Sequence, residues 1–109
     1  MTRLPSVCLI VLAAGFALPA HAGCSLPPAP SKVPDGASAS EQEMLAAMQT
    51  LKQYDADVNT YLKCLEFEAK QNRMSSDEQS RLHNAAVDGL SSVAAKFNAQ
   101  VRVFKSKTG

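Results

Sequence analysis

Outside an apolar N-terminal segment, the most reactive side chains in this sequence are Cys24, Cys64 and His83. His83 falls in a predicted helix together with Asp77 and Ser80, and groups on one helix lack the geometry that aims a serine nucleophile. One histidine and two cysteines also fall short of the four ligands of a structural zinc site. We therefore expect no enzyme activity, no metal and no cofactor, with His83 exposed on the helix surface.

The N-terminal segment has the features of a bacterial secretory signal peptide. Arg3 provides a positive start, residues 7–18 form an apolar stretch too short to span a bilayer, and Ala20-His21-Ala22 matches the small-residue cleavage pattern. The rest of the chain, residues 23–109, has no second apolar stretch of that length, so no transmembrane segment is predicted there. We expect a signal peptide over residues 1–22 and a mature protein that is periplasmic or secreted.

Export would place Cys24 and Cys64 in an oxidising compartment, where only one pairing is open to them. We therefore expect a Cys24–Cys64 disulfide. The alternative is a lipoprotein with an envelope-structural role, because Ala22-Gly23-Cys24 ends like a lipobox whose cysteine is acylated and anchored in the membrane. His21 stands where a lipobox has an aliphatic residue, and this difference favours the disulfide.

Residues 23–39 predict an extended arm, because four prolines between positions 27 and 34 exclude a helix or a central strand. Pro34-Asp35-Gly36 predicts a turn, in which glycine tolerates a positive φ. At about 3.1 Å per residue the arm is long enough to run back along a helix of about 35 Å and bring Cys24 to Cys64. A flexible linker is the alternative for the same residues.

Two capping boxes predict two long helices. Ser40 to Glu43 marks the start of the first helix, about 41–71, and Ser76 to Gln79 marks the start of the second, about 77–104. Apolar residues recur every three or four positions in both, as in helices that pack along their length. These residues are Met44, Met48, Leu51, Val58, Leu62, Leu65 and Ala69 in the first helix and Leu82, Ala86, Leu90, Val93, Phe97, Val101 and Phe104 in the second.

The connection between these helices is short, which favours an antiparallel arrangement. The predicted fold is therefore all-α: an antiparallel two-helix hairpin over residues 40–109, with the N-terminal proline-rich arm packed back on helix 1.

Asp55 interrupts the apolar seam of the first helix. We expect it either to fix the register of the helices through a hydrogen bond or to contact a partner.

A two-helix hairpin leaves part of each helix uncovered, so the arm or a partner must bury the apolar flank of helix 1. We expect a binding surface on this flank or at the basic end of helix 2. The candidate residues are Met44, Met48, Tyr54 and Tyr61 on the flank and Lys96, Arg102 and Lys105 at the basic end. Homodimerisation into a four-helix bundle would bury the same flank.

Residues 23–109 contain ten basic and ten acidic residues, a balance that argues against nucleic-acid binding.

Three short motifs carry a resemblance to a known group of proteins. They are Pro34-Asp35-Gly36, the segment Tyr61-Leu62-Lys63-Cys64-Leu65-Glu66 preceded by Tyr54, and Phe97-Asn98. With them the chain resembles small exported proteins of proteobacteria that have a proline-rich, cysteine-containing start, a PDG turn and a YLxCL helix. The resemblance implies export and a disulfide and adds no catalytic residue. We expect an exported, non-enzymatic helical protein that binds another protein or an envelope component.

Overall fold

The computed structural model describes residues 23–108, and the predicted signal peptide, residues 1–22, lies outside the described residues. The described chain forms two helices, α1 (Glu41–Lys70) and α2 (Ser76–Thr108), and no strand. The helices pack against each other along an antiparallel hairpin. The predicted all-α hairpin is confirmed.

Both helices begin at serine caps. The Ser40 hydroxyl accepts from the Glu43 amide at 3.1 Å while the Glu43 carboxylate accepts from the Ser40 amide at 3.0 Å, so the first capping box is confirmed. In α2 the cap is Ser75, whose hydroxyl accepts from the Glu78 amide at 3.1 Å. The prediction of Ser76 as the cap is therefore wrong by one residue. Ser75 also has a glutamate three residues later, so it fits the same pattern equally well.

Helix α1 ends in a Schellman motif, which sets the start of the connection. Gln71 is the C-cap, and Asn72 follows with a positive φ of 56°. The Asn72 amide donates to the Ala69 carbonyl at 3.1 Å, and the Arg73 amide donates to the Glu68 carbonyl at 3.0 Å. Asparagine tolerates this left-handed conformation, which is why the chain can reverse without a glycine. The motif places Arg73 directly beside the last turn of α1.

Helix α2 extends about one turn beyond its predicted end near residue 104. Lys105 and Lys107 lie in the last helical turn, where positive charge favours the helix dipole. Lys107 Nζ also donates to the Ala39 carbonyl at 2.9 Å. This contact ties the end of α2 to the residues that lead into α1.

The core consists of two clusters along the hairpin. The closed-end cluster, nearer the connection, contains Tyr54, Val58, Tyr61, Leu65 and Ala86. The open-end cluster contains Ala39, Met44 and Phe97. Val58 and Leu65 are the most completely buried large side chains, at 0% and 1% exposure.

The proline-rich arm, residues 23–39, packs on both clusters. Cys24 packs against the closed-end cluster, and Val33 packs against the open-end cluster. The arm also contacts α2, because the Gly36 amide donates to Gln100 Oε1 at 2.8 Å. The predicted packing of the arm on helix 1 is confirmed, and its far end bridges to α2 as well.

The turn at the end of the arm is organised by Asp35. Its side chain accepts from the Ala37 amide at 2.9 Å, and its carbonyl accepts from the Ser38 and Ala39 amides at 3.1 and 2.8 Å. Gly36 does not have a positive φ, so the predicted reason for this glycine is wrong. Gly36 is buried against the backbone of α2 at Gln100 and Phe104, and a side chain has no room there.

Candidate functional site

The aromatic flank of helix 1, predicted as a binding surface, is mostly core. Met44, Tyr54 and Tyr61 are 6%, 6% and 7% exposed, and Met48 is half-buried against the open-end cluster. The arm covers the two tyrosines. The sequence had left open whether the arm or a partner buries this flank. Met44, Tyr54 and Tyr61 therefore offer little surface to a partner, and the prediction of an open surface is wrong for these three residues.

The basic end of α2 keeps its predicted exposure. Lys96, Arg102 and Lys105 are all exposed. Lys96 lies beside Pro34 and Asp35 of the arm, whereas Arg102 and Lys105 lie at least one and a half turns further along the helix. The three cations therefore do not converge on one point.

The predicted disulfide between Cys24 and Cys64 is present, with a Cα–Cα distance of 5.6 Å. It joins the start of the arm to the penultimate turn of α1. Both cysteines are half-buried. The disulfide therefore fixes the arm at the closed end of the hairpin, where Cys24 packs on the core.

A pocket of about 260 Å³ lies next to this disulfide at the closed end. The arm, α1, the connection and α2 all contribute to its walls. The lining residues are Cys24, Tyr61, Leu65, Glu68, Arg73, Met74, Glu78 and Leu82. The lining combines apolar and aromatic side chains with three charged ones, Glu68, Arg73 and Glu78.

Glu68 is the unusual residue of this pocket, because its side chain is only 7% exposed. Its Oε1 lies 3.6 Å from Arg73 Nη1, which is longer than a hydrogen bond. Its Oε2 is buried and has no hydrogen-bond partner among residues 23–108. A buried carboxylate oxygen without a donor is energetically costly.

The groups around Glu68 compensate its negative charge only in part. Glu68 lies in the last turns of α1, where the helix dipole disfavours a negative charge. The Schellman motif brings Arg73 back towards it, but the Arg73 guanidinium also lies over the Phe67 ring, 5.7 Å from the ring centroid. Phe67 is 54% exposed, and the Arg73 side chain is 51% exposed. The counter-charge of Glu68 is therefore half-exposed to solvent.

Glu68 was not among the residues predicted to form a site. Glu66, two residues earlier, is exposed and forms an ion pair with Lys70 at 3.1 Å. A signal for Glu68 existed in the spacing, since Tyr54, Tyr61 and Glu68 are seven residues apart. Residues seven apart share one helix face, and the first two are buried beneath the arm.

The remaining polar candidates lie apart from the pocket. Asp55 is exposed and accepts from Asn59 of its own helix at 3.4 Å, so it does not fix the register between helices. His83, Asp77 and Ser80 are exposed on α2. In the described part of the chain no three His, Cys, Asp or Glu side chains are grouped as metal ligands would be.

No helix among the described residues is long and apolar enough to cross a membrane. Comparisons with models of protein families, with curated proteins and with solved structures find no match to this chain.

Proposed function

We propose that the mature chain acts outside the cytoplasm, in the periplasm or as a secreted protein, and that it works by binding rather than by catalysis. The observation that carries this proposal is the Cys24–Cys64 disulfide. Disulfides persist in oxidising compartments and are rare in the cytoplasm. The signal-peptide pattern of residues 1–22 supports the same location.

The disulfide also favours this role over a lipoprotein anchored through Cys24. Lipidation attaches the lipid to the cysteine sulfur, and the Cys24 sulfur is here bonded to Cys64. The two uses of Cys24 therefore exclude each other. In the proposed form the arm is part of the folded domain, whereas in a lipoprotein it would serve as a tether.

The proposed binding site is the closed-end pocket. It combines apolar and charged side chains with one buried acceptor oxygen that has no partner among the described residues, a pattern that favours a small-ligand or side-chain site. The disulfide lies in its wall through Cys24, so the same bond that supports export also holds the arm against the pocket. Homodimerisation into a four-helix bundle stays a prediction.

Fractionation of a Gram-negative host that expresses the full chain tests the location. We expect a processed protein in the periplasm or the medium, with both thiols of the mature chain blocked. The matched control is Leu12→Arg, which places a charge in the apolar stretch of residues 7–18 and should leave an unprocessed chain in the cytoplasm. A wild-type chain that remains cytoplasmic with reactive thiols would contradict the proposal. A membrane-bound chain that Cys24→Ser releases would establish the lipoprotein instead.

A further inference from the structure

We infer that the closed-end pocket binds a primary ammonium group on a short alkyl stem, with the Glu68 carboxylate as its acceptor. The inference deepens the proposed binding role and rests on it. It assigns the chemical class of the ligand to a site in which one oxygen of Glu68 has no partner among the described residues.

The charges of the pocket favour a cation. Its lining contains two acids, Glu68 and Glu78, and one base, Arg73. The base is half-exposed and lies 3.6 Å from the other Glu68 oxygen, Oε1. The dipole of α1 adds negative potential near its last turns, where Glu68 lies. Arg73 forms an ion pair with Oε1 of Glu68 only, so a positive group that enters the pocket adds to a compensation that is partial.

Two backbone donors near Glu68 are already used. The Arg73 amide donates to the Glu68 carbonyl, and the Glu78 amide donates to the Ser75 hydroxyl at 3.1 Å. Neither amide is left to serve Glu68 Oε2. The missing donor must come from outside these groups, and an ammonium group supplies three N–H donors together with the complementary charge.

The shape of the pocket limits the rest of the ligand. Leu65, Met74 and Leu82 provide apolar walls that suit methylene groups. A volume of about 260 Å³ lies below the roughly 300 Å³ at which drug-sized ligand sites begin. The pocket therefore fits a chain of a few carbons that ends in a charge, such as a lysine side chain or a small aliphatic amine.

The experiment is a titration of the oxidised mature protein, followed by the amide chemical shifts of Cys24, Leu65 and Leu82. The probes are n-butylamine, n-butanol and butyrate, which share a stem and differ in charge, and tetramethylammonium, which has the charge but no N–H donor. We expect saturable shifts with n-butylamine and markedly weaker binding of the other three. Equal binding of n-butanol would overturn the ammonium assignment and leave an apolar binding pocket. No shift with any probe would overturn the pocket as a binding site and leave the proposed location untouched.

Two variants locate the acceptor. Glu68→Gln should weaken n-butylamine binding by about tenfold or more, the range for loss of a hydrogen bond to a charged group. Glu66→Gln is the matched control, because it removes the same charge two residues away at an exposed position and should leave the affinity unchanged. Equal effects of both variants would overturn the role of Glu68. If Glu68→Gln does not fold, Glu68→Asp, which withdraws the carboxylate by one methylene, should show the same loss.

The source of the ammonium group is decided by comparing a free amine with a capped Gly-Lys-Gly peptide. Tighter binding of the peptide would identify a lysine side chain of a partner protein, and tighter binding of n-butylamine would identify a free aliphatic amine. Both results support the inferred chemistry. Failure of both ligands would overturn it, because they present the same terminal group.

Discussion

Replacement of Cys64 with Ser is expected to lower the free energy of unfolding by about 4 kcal/mol. The disulfide closes a loop with a sequence separation of 40 residues, and cross-links of that length remove a large chain entropy from the unfolded state. For a domain of this size the loss corresponds to a fall in Tm of roughly 15 to 30 °C. Thermal unfolding followed by circular dichroism measures it directly. The effect is large because the total stability of a small domain is only about 5–15 kcal/mol.

The matched controls are Cys24→Ser and the double variant Cys24→Ser/Cys64→Ser. All three break the same bond, so their Tm values should agree with one another and with that of the reduced wild-type protein. An unchanged melting curve would mean that the arm is a linker that adds nothing to the fold. Unequal single variants would mean that one cysteine contributes by packing rather than by the bond.

Replacement of Gly36 with Ala is expected to destabilise the protein by about 1 to 3 kcal/mol, the range for forced overpacking. A Cβ at this position would overlap the Gln100 carbonyl oxygen and approach the Phe104 nitrogen to 2.9 Å. Both neighbours belong to the α2 backbone, which cannot yield as a flexible side chain would. The turn must therefore lift from α2, and the Gly36–Gln100 hydrogen bond is lost with it. Chemical denaturation of wild type and variant measures the difference.

Ala37→Ser is the control for this variant, since it adds one atom at the next position of the same turn, where the side chain is exposed. Its effect should stay within about 0.5 kcal/mol. Equal stabilities of Gly36→Ala and wild type would show that the turn does not contact α2 closely. The arm would then be held by the disulfide and the apolar contacts alone.

The helices and the disulfide were predictable because each depends on a local or unique signal. Ser40 and Glu43 specify the start of α1 within four residues of sequence. Cys24 and Cys64 are the only cysteines in residues 23–109, so they have one possible pairing. The arm could be assigned an extended course from its prolines alone, and its length was sufficient to reach Cys64.

The parts that sequence reasoning missed depend on three-dimensional contacts. From the sequence, Tyr54 and Tyr61 are candidates for an interaction surface. In the structure the arm covers them. Gly36 is required because the α2 backbone approaches it at Gln100, which lies 64 residues later in the sequence. Glu68 has the same type and nearly the same position as exposed Glu66, and only the packing of the closed end separates them.

One measurement tests export and the disulfide together: the intact mass of the protein recovered from the periplasm or medium, before and after reduction. The expected mass is that of a chain beginning at Gly23, which gains two hydrogens on reduction. This result would place Cys24 in a bond with Cys64 and the arm on the hairpin. A mass that begins at Cys24 with acyl chains attached, or one that reduction leaves unchanged, would contradict the proposed protein.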